Sequence, residues 1–272
     1  MLPMLLSQPA ATSRAVDFLA RVRANDCAAP AAAVARRFLV GSETLGRVLP
    51  QAAEVFSRFP RTFAVDEKAV TLRDDPSWLD CNPDTCNVEL VESRSAAVAE
   101  VLQSLREDGS VPMLAGWRDE AFAVRPSFYS DARLVVERAA GPLFGFPAYG
   151  CFTNGFVSRD GKRPTHLWLG KRSMDKPTWP GLLDCIAAGG IAAGGSPSRA
   201  MVQECEEEAG IPADIAARLV SVGGVSYTGF NQDGWGIKSD VLFNFDLHLD
   251  NSFQPVCADG EMQEFRLLPI EQ

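Results

Sequence analysis

The chain has 272 residues, enough for one large domain or two small ones. Its 46% hydrophobic and 22% charged residues are those of an ordinary globular protein with a sizeable core. The net charge of −9, with no Lys/Arg cluster, argues against a nucleic-acid partner, because such binders draw affinity from a basic face. An acidic chain that handles a phosphorylated ligand needs a metal ion, or a few well-placed cations, to offset repulsion. The seven cysteines are irregularly spaced, and only Cys81 and Cys86 lie close together. That pattern suits reduced thiols better than zinc or a disulfide framework. The apolar opening Met1–Leu6 lacks a basic flank and is too short for a secretory signal. No run approaches the ~20 apolar residues of a membrane span, so a cytoplasmic protein without membrane contact is expected.

In chain order, a helix is expected over 12–25, with Thr12 or Ser13 as cap and Val16, Leu19 and Val22 at helical spacing. Extended pieces follow at 37–40 and 62–72. A second helix is expected from Ser95 to Glu107, with Val98, Val101, Leu102 and Leu105 on one face, ended by Asp108-Gly109. Ala121–Val124 suggests a strand. Asp131–Ala140 reads as a third helix, stopped by Gly141-Pro142. The texture then changes, and the boundary between a smaller mixed α/β domain (1–140) and a second domain (141–272) is placed there. Cys151–Ser158 and His166–Arg172 read as strands, joined by a link holding Asp160-Gly161. In 241–249, Val241, Phe243, Phe245, Leu247 and Leu249 alternate with polar residues, as in a half-buried strand.

The informative stretch is 188–212. Gly189-Gly190 and Gly194-Gly195 precede Ser196-Pro197, a good cap followed by a residue suited to the first helical position. Gly210 suits the left-handed residue that ends a helix, and Pro212 discourages continuation. The segment therefore predicts one helix of about three and a half turns. Glu204, Glu207 and Glu208 stand on it at i, i+3 and i+4 and share a face. Such carboxylates are hard oxygen ligands for Mg²⁺, or else a solvated acidic face. Glycines before the helix let the backbone approach a ligand closely, or serve only as turns.

Together these features resemble the Nudix box, G-x5-E-x7-R-E-U-x-E-E-x-G-U, with U aliphatic. Gly189 takes the first glycine, Glu204 the first helical Glu, Glu207 and Glu208 the Glu pair, and Gly210-Ile211 the close, with Cys205 in the aliphatic place. Gly195 stands where the motif has its loop Glu, and Gln203 where it has Arg. A wider resemblance joins Glu137–Ala140, Leu143–Gly145, Thr153–Phe156, Leu167–Ser173, Lys176–Asp184 and Asp259–Glu261 to one Nudix branch. Members of that branch carry an extra N-terminal domain and occur beside, or fused to, thiamine pyrophosphokinase. The branch often lacks the loop Glu and the box Arg.

The resemblance implies an α+β protein, with a Nudix α/β/α sandwich preceded by a smaller mixed α/β domain. Nudix folds usually add a terminal helix, which is expected to be at least partly missing before Gln272. The implied activity is Mg²⁺-dependent (or Mn²⁺-dependent) hydrolysis of a phosphoanhydride in a small diphosphate. Thiamine diphosphate or an oxidised analogue is the expected substrate, giving the monophosphate and phosphate. A nucleoside diphosphate derivative, or a binding protein with weak turnover, is the alternative. Glu204, Glu207 and Glu208 are the expected metal ligands, and Glu207, Glu208 and Glu261 the catalytic carboxylates. Asn154, Arg172, Lys176, Trp179, Gly189 and Gly190 are the expected substrate contacts, with Trp179 available for stacking on a ring. The expected partner is the small-molecule diphosphate, without nucleic acid or membrane. A homodimer is compatible with the chain, and neither His166 nor His248 is assigned a role.

Overall fold

The computed structural model describes residues 18–74, 86–158, 163–176, 178–231 and 233–270. Helix α1 (Phe18–Asn25) leads into β1 (Arg36–Val40), β2 (Glu43–Val48), α2 (Pro50–Ser57), β3 (Phe63–Val65) and β4 (Ala69–Leu72). The four strands form a sheet in the order β2-β1-β4-β3, with β1 and β4 parallel. Helix α3 (Cys86–Glu107) begins well before the expected Ser95. Ser95 sits inside it because its hydroxyl is satisfied locally: it donates to Val91 O at 2.6 Å and accepts from Val135 N–H at 2.8 Å. Val98, Val101, Leu102 and Leu105 are buried, as their spacing predicts. The expected strand at Ala121–Val124 is present as β5.

The helix expected over 131–140 is absent. Leu134–Glu137 is instead strand β6, pairing antiparallel with β5. Two adjacent valines favour a pleated surface, and the alternation that buries Leu134 and Val136 has a partner strand to pack beside. Gly141-Pro142 likewise starts a helix instead of stopping one. Pro142 lies in the first turn of α4 (Gly141–Phe144), where a missing N–H costs nothing. Through this short helix the first core extends past residue 140: Leu143, Phe144 and Phe146 join Phe38, Phe56 and Phe63 in it. The Phe144 ring lies 4.9 Å from those of both Phe38 and Phe56. Backbones meet closely here. A Cβ on Gly46 would stand 2.2 Å from Phe144 O, so only glycine fits.

The second sheet is built from β7 (Pro147–Val157), β8 (His166–Arg172), β9 (Leu183–Asp184), β10 (Ala187–Gly190), β11 (Val220–Phe230), β12 (Ile237–His248) and β13 (Met262–Pro269). Its main order is β11-β12-β7-β8-β13. Strand β7 shares one edge between two partners, β10 along Gly150–Thr153 and β8 along Gly155–Val157. Helices α5 (Pro197–Ala209) and α6 (Ala213–Ala216) bury their apolar residues against this sheet, in a core with Cys151, Trp168, Ile186, Phe245, Leu247 and Leu249. The expected Asp160-Gly161 link and the start of the first helix lie outside the described residues. Cys27, Cys151, Cys185, Cys205 and Cys257 are free thiols; Cys81 is outside the described residues.

Phe144→Ala would leave a cavity between three other rings. Its stability, read from the urea midpoint, is expected to fall by about 3–5 kcal/mol, the usual cost of Phe→Ala in a core. A loss below about 1 kcal/mol would mean that α4 does not key the first core.

A carboxylate cluster on the α5 helix

Helix α5 forms as its sequence predicts. Ser196 is the cap and its hydroxyl accepts from Arg199 N–H at 3.3 Å, Pro197 follows, and Gly210 ends the helix in the left-handed region at φ 61°. That turn lets the Ile211 N–H reach Cys205 O at 2.9 Å. The residues buried along the helix are Met201, Cys205, Glu208 and Ala209, at helical spacing. A carboxylate therefore stands on the apolar face of α5, only 4% exposed. It accepts a hydrogen bond at 2.8 Å from the Ala188 N–H of β10.

Two further acids meet Glu208 there. Asp259 and Glu261, carried to the site by the turn before β13, have ligand oxygens that lie with that of Glu208 within 4.8 Å of one another. Asp259 accepts from the Glu261 N–H at 2.8 Å, which fixes the turn. Lys176 forms an ion pair with Glu261. Burial raises the Glu208 carboxyl, and the charges of Glu204 and Glu261 add to that despite the hydrogen bond from Ala188. Burial also pushes Glu261 up, but the hydrogen bond and charge of Lys176, with help from Glu208 and Arg172, outweigh it and hold Glu261 below the ordinary range. Glu204, half-buried, is pushed up to about 7 by burial and by the charges of Glu207 and Glu261. Three hard oxygen donors converging on one point, with burial raising the carboxyl of one of them, form a donor set that suits a hard divalent cation.

The expected residues divide into those that gather here and those that do not. Glu208, Glu261 and Lys176 meet directly. Glu204 stands against Gly189, where an added Cβ would be 1.8 Å from its Oε1. Gly190 faces Phe122 and Arg138, which a Cβ would meet at 2.9 and 3.2 Å. Both glycines thus admit side chains close to the backbone, which is what their spacing before the helix allows. Glu207 shares the helix but is exposed, and Gln203 Nε2 donates to it at 2.9 Å. It lies outside the cluster because it is rotated away from the face that carries Glu208. Arg172 is near Glu261, yet its guanidinium is committed to Asp184 Oδ2 at 2.9 Å and to Thr178 O at 3.0 and 3.2 Å. Asn154 donates to Asp246 at 2.9 Å. Its neighbour Thr153 is buried against Cys205, so strand alternation puts Asn154 on the opposite face of the sheet from α5. Trp179 is 47% exposed, on the turn after Lys176, with φ 52°. Asp259, the third carboxylate of the cluster, was not among the expected residues. Its signal was the short spacing to Glu261, but only the β13–β8 pairing brings either residue to α5.

Residues 153–272 match the family described as NUDIX domain, and residues 17–148 the one described as Domain of unknown function (DUF4743). The second half of the chain is a Nudix domain. With the preceding unit, the chain belongs to the Nudix proteins that carry a DUF4743 domain in front. It is 40% identical over 242 residues to Nudix hydrolase 20, chloroplastic, of Arabidopsis thaliana, covering 85% of this chain and 63% of that protein. To Nudix hydrolase 24, chloroplastic, of the same plant it is 45% identical over 181 residues, 66% of this chain and 48% of the other. An uncharacterised Saccharomyces cerevisiae protein is 27% identical over 224 residues, 79% and 61% of the two chains. The chain thus spans roughly half to just under two thirds of the length of these relatives.

The raised carboxyls make stability depend on pH with a definite sign. From the ordinary value of 4.5 up to about 7, the folded chain holds a proton on Glu204 that the unfolded chain has lost. Glu208 extends that window upward. Stability is therefore greatest on the acid side and falls as pH rises through the window. Chelator-treated protein should lose melting temperature between about pH 5 and pH 8, excess Mg²⁺ should restore it at the alkaline end, and Glu208→Gln should flatten the profile. A melting temperature of chelator-treated wild type that stays flat across that window would contradict the electrostatics of the site.

Proposed function

We propose that the chain is a Nudix hydrolase that cleaves a phosphoanhydride bond in a small diphosphate with the aid of a divalent cation, Mg²⁺ or Mn²⁺. The observation that carries this reading is the buried Glu208 carboxylate of the Nudix helix facing Asp259 and Glu261. Glu208 and Asp259 would hold the ion, with Glu204, one turn earlier on α5, the next donor and Glu261 beside them. When bound, the ion supplies a Lewis acid for the diphosphate oxygens and makes water more acidic. The remaining chemistry belongs to the side chains. Glu261 is the general base: a base must be unprotonated, and Lys176 keeps it so. Burial raises the Glu208 carboxyl, which a bound cation would offset, and Glu207 is turned to solvent. In the reaction the water oxygen bonds to phosphorus and the bridging P–O bond breaks. Glu261 takes the proton, and the leaving phosphate departs with the bridging oxygen.

The substrate in this proposal is thiamine diphosphate or an oxidised analogue, with the monophosphate and phosphate as products. Support comes from the segments that resemble the thiamine-associated branch, above all Lys176–Asp184. Trp179 lies in that segment. A non-glycine residue at positive φ carries backbone strain, and here it holds a half-exposed indole three residues after Lys176, the partner of Glu261. Such a surface suits a cationic or oxidised heteroaromatic ring, by cation–π contact or stacking. Gly195 and Gln203, in place of the motif's loop Glu and Arg, favour the second reading of a ligand-binding protein with weak turnover.

Phosphate release with Mg²⁺ from thiamine diphosphate, its oxo form and nucleoside diphosphate derivatives tests both. Glu208→Gln should reduce turnover at least ~10²-fold while the fold survives. Trp179→Ala should lower kcat/KM for thiamine compounds about tenfold and spare nucleoside diphosphates. Turnover unchanged in Glu208→Gln would sink the hydrolase reading. A wild-type preference of roughly tenfold for a nucleoside diphosphate, about 1.4 kcal/mol, would sink the thiamine assignment alone. Binding without release would favour the weak-turnover protein.

A further inference from the structure

The first unit reaches into the Nudix site. The hairpin of β5 and β6 is joined to the glycine loop by a hydrogen bond from Ala193 N–H to Ala121 O at 2.9 Å. At its ends stand Glu120 and Arg138, which pair at 2.7 Å through Arg138 Nη1. The guanidinium carbon also lies 5.4 Å from the Phe122 ring centroid. Phe122 and Arg138 both abut Gly190, where a Cβ would stand 3.3 Å from Arg138 Nη1. Glu120, Arg138, Gly190, Gly195, Arg199 and Glu204 line one cleft of ≈ 970 Å³. The charge of Arg138 favours ionised Glu204, while that of Glu120 opposes it.

The other basic groups near the carboxylates are committed. Arg172 is held by Asp184 and Thr178, and Lys176 by Glu261. The Arg138 side chain is 35% exposed and, among the described residues, hydrogen-bonds only through Nη1. Arg138 lines the cleft with its Nε and Nη2 donors uncommitted to side chains or backbone of the described residues, and a guanidinium fork suits paired bonds to phosphate oxygens. Glu120 and the Phe122 ring hold it in one orientation, which reduces the side-chain entropy lost when an anion binds. Arg199, the other cation of the cleft, is exposed on the first turn of α5.

The geometry points to Arg138 as a phosphate-binding residue of the Nudix site, lent by the preceding domain and oriented by Glu120. The inference rests on the diphosphate hydrolase proposed above and names a further contact for its substrate. It assigns the first unit a part in the active site: without it, the cleft loses one wall and its oriented cation.

The test uses the full chain with Mg²⁺ and inorganic pyrophosphate as the probe, by calorimetry, alongside KM and kcat for thiamine diphosphate. Arg138→Ala should weaken pyrophosphate binding about tenfold or more and raise KM more than it lowers kcat. Arg138→Lys, which keeps the charge without the fork, should recover part of the affinity and remains readable if the alanine variant folds poorly. Arg199→Ala controls for general charge and should change affinity less than threefold. Pyrophosphate affinity within twofold of wild type in Arg138→Ala, an equal loss in Arg199→Ala, or no measurable binding by the wild type would each overturn the inference. Failure of the hydrolase reading shows elsewhere, as turnover that survives Glu208→Gln, and leaves the pyrophosphate comparison intact.

Discussion

Placing a carboxylate on the buried face of α5 is the constraint on which the rest of the second domain depends. An unpaired acid in an apolar core is costly, so Glu208 must either stay protonated or find donors and positive charge. The Ala188 N–H supplies one donor. That bond ties α5 to β10, and β10 to the middle of the sheet through β7. Asp259 and Glu261 close over the same point from the other side of the fold, and Lys176 follows Glu261. Packing and chemistry thus meet at one side chain: the contacts that let the helix dock are those that bring the acids together.

The glycines before α5 are part of the same solution. Gly189 has no Cβ because Glu204 occupies that space, and Gly190 has none because Phe122 and Arg138 do. The cysteine in the aliphatic place of the motif behaves as a small hydrophobe. Burial pushes the Cys205 thiol up to about 11, so it stays neutral beside Glu208 and contacts Thr153. The two units share more than a linker, since α4 packs in the first core and leads directly into β7.

Elements set by short-range patterns were legible before the fold was known. Helix α5 was readable because cap, proline, charge spacing and terminal glycine all act within one segment, and the strands at 121–124 and 166–172 because alternation is local. Two misreadings share one cause. Leu134–Glu137 is a strand because β5 lies beside it, and Gly141-Pro142 opens a helix because Phe144 has a cluster of rings to join. The helix expected from Ser95 begins at Cys86, and Ser95 is interior, since its hydroxyl finds Val91 and Val135.

The same division holds for the site. By itself the sequence determined the helix, its three acids, its glycine approach and the Nudix resemblance, because these lie within about 25 residues of one another and obey helical geometry. Tertiary structure alone decided which acids act together. Glu207 and Glu208 are neighbours in the chain, but the 100° between successive helical residues sends one to solvent and the other into the core. Asp259 and Glu261, some fifty residues on, replace Glu207 as companions of Glu208 because β13 pairs with β8. Arg138 stands beside Glu204 because a hairpin of the first unit docks on the glycine loop. Helical periodicity relates residues a few positions apart; sheet register and domain docking, which depend on surfaces the whole chain must first build, relate the rest.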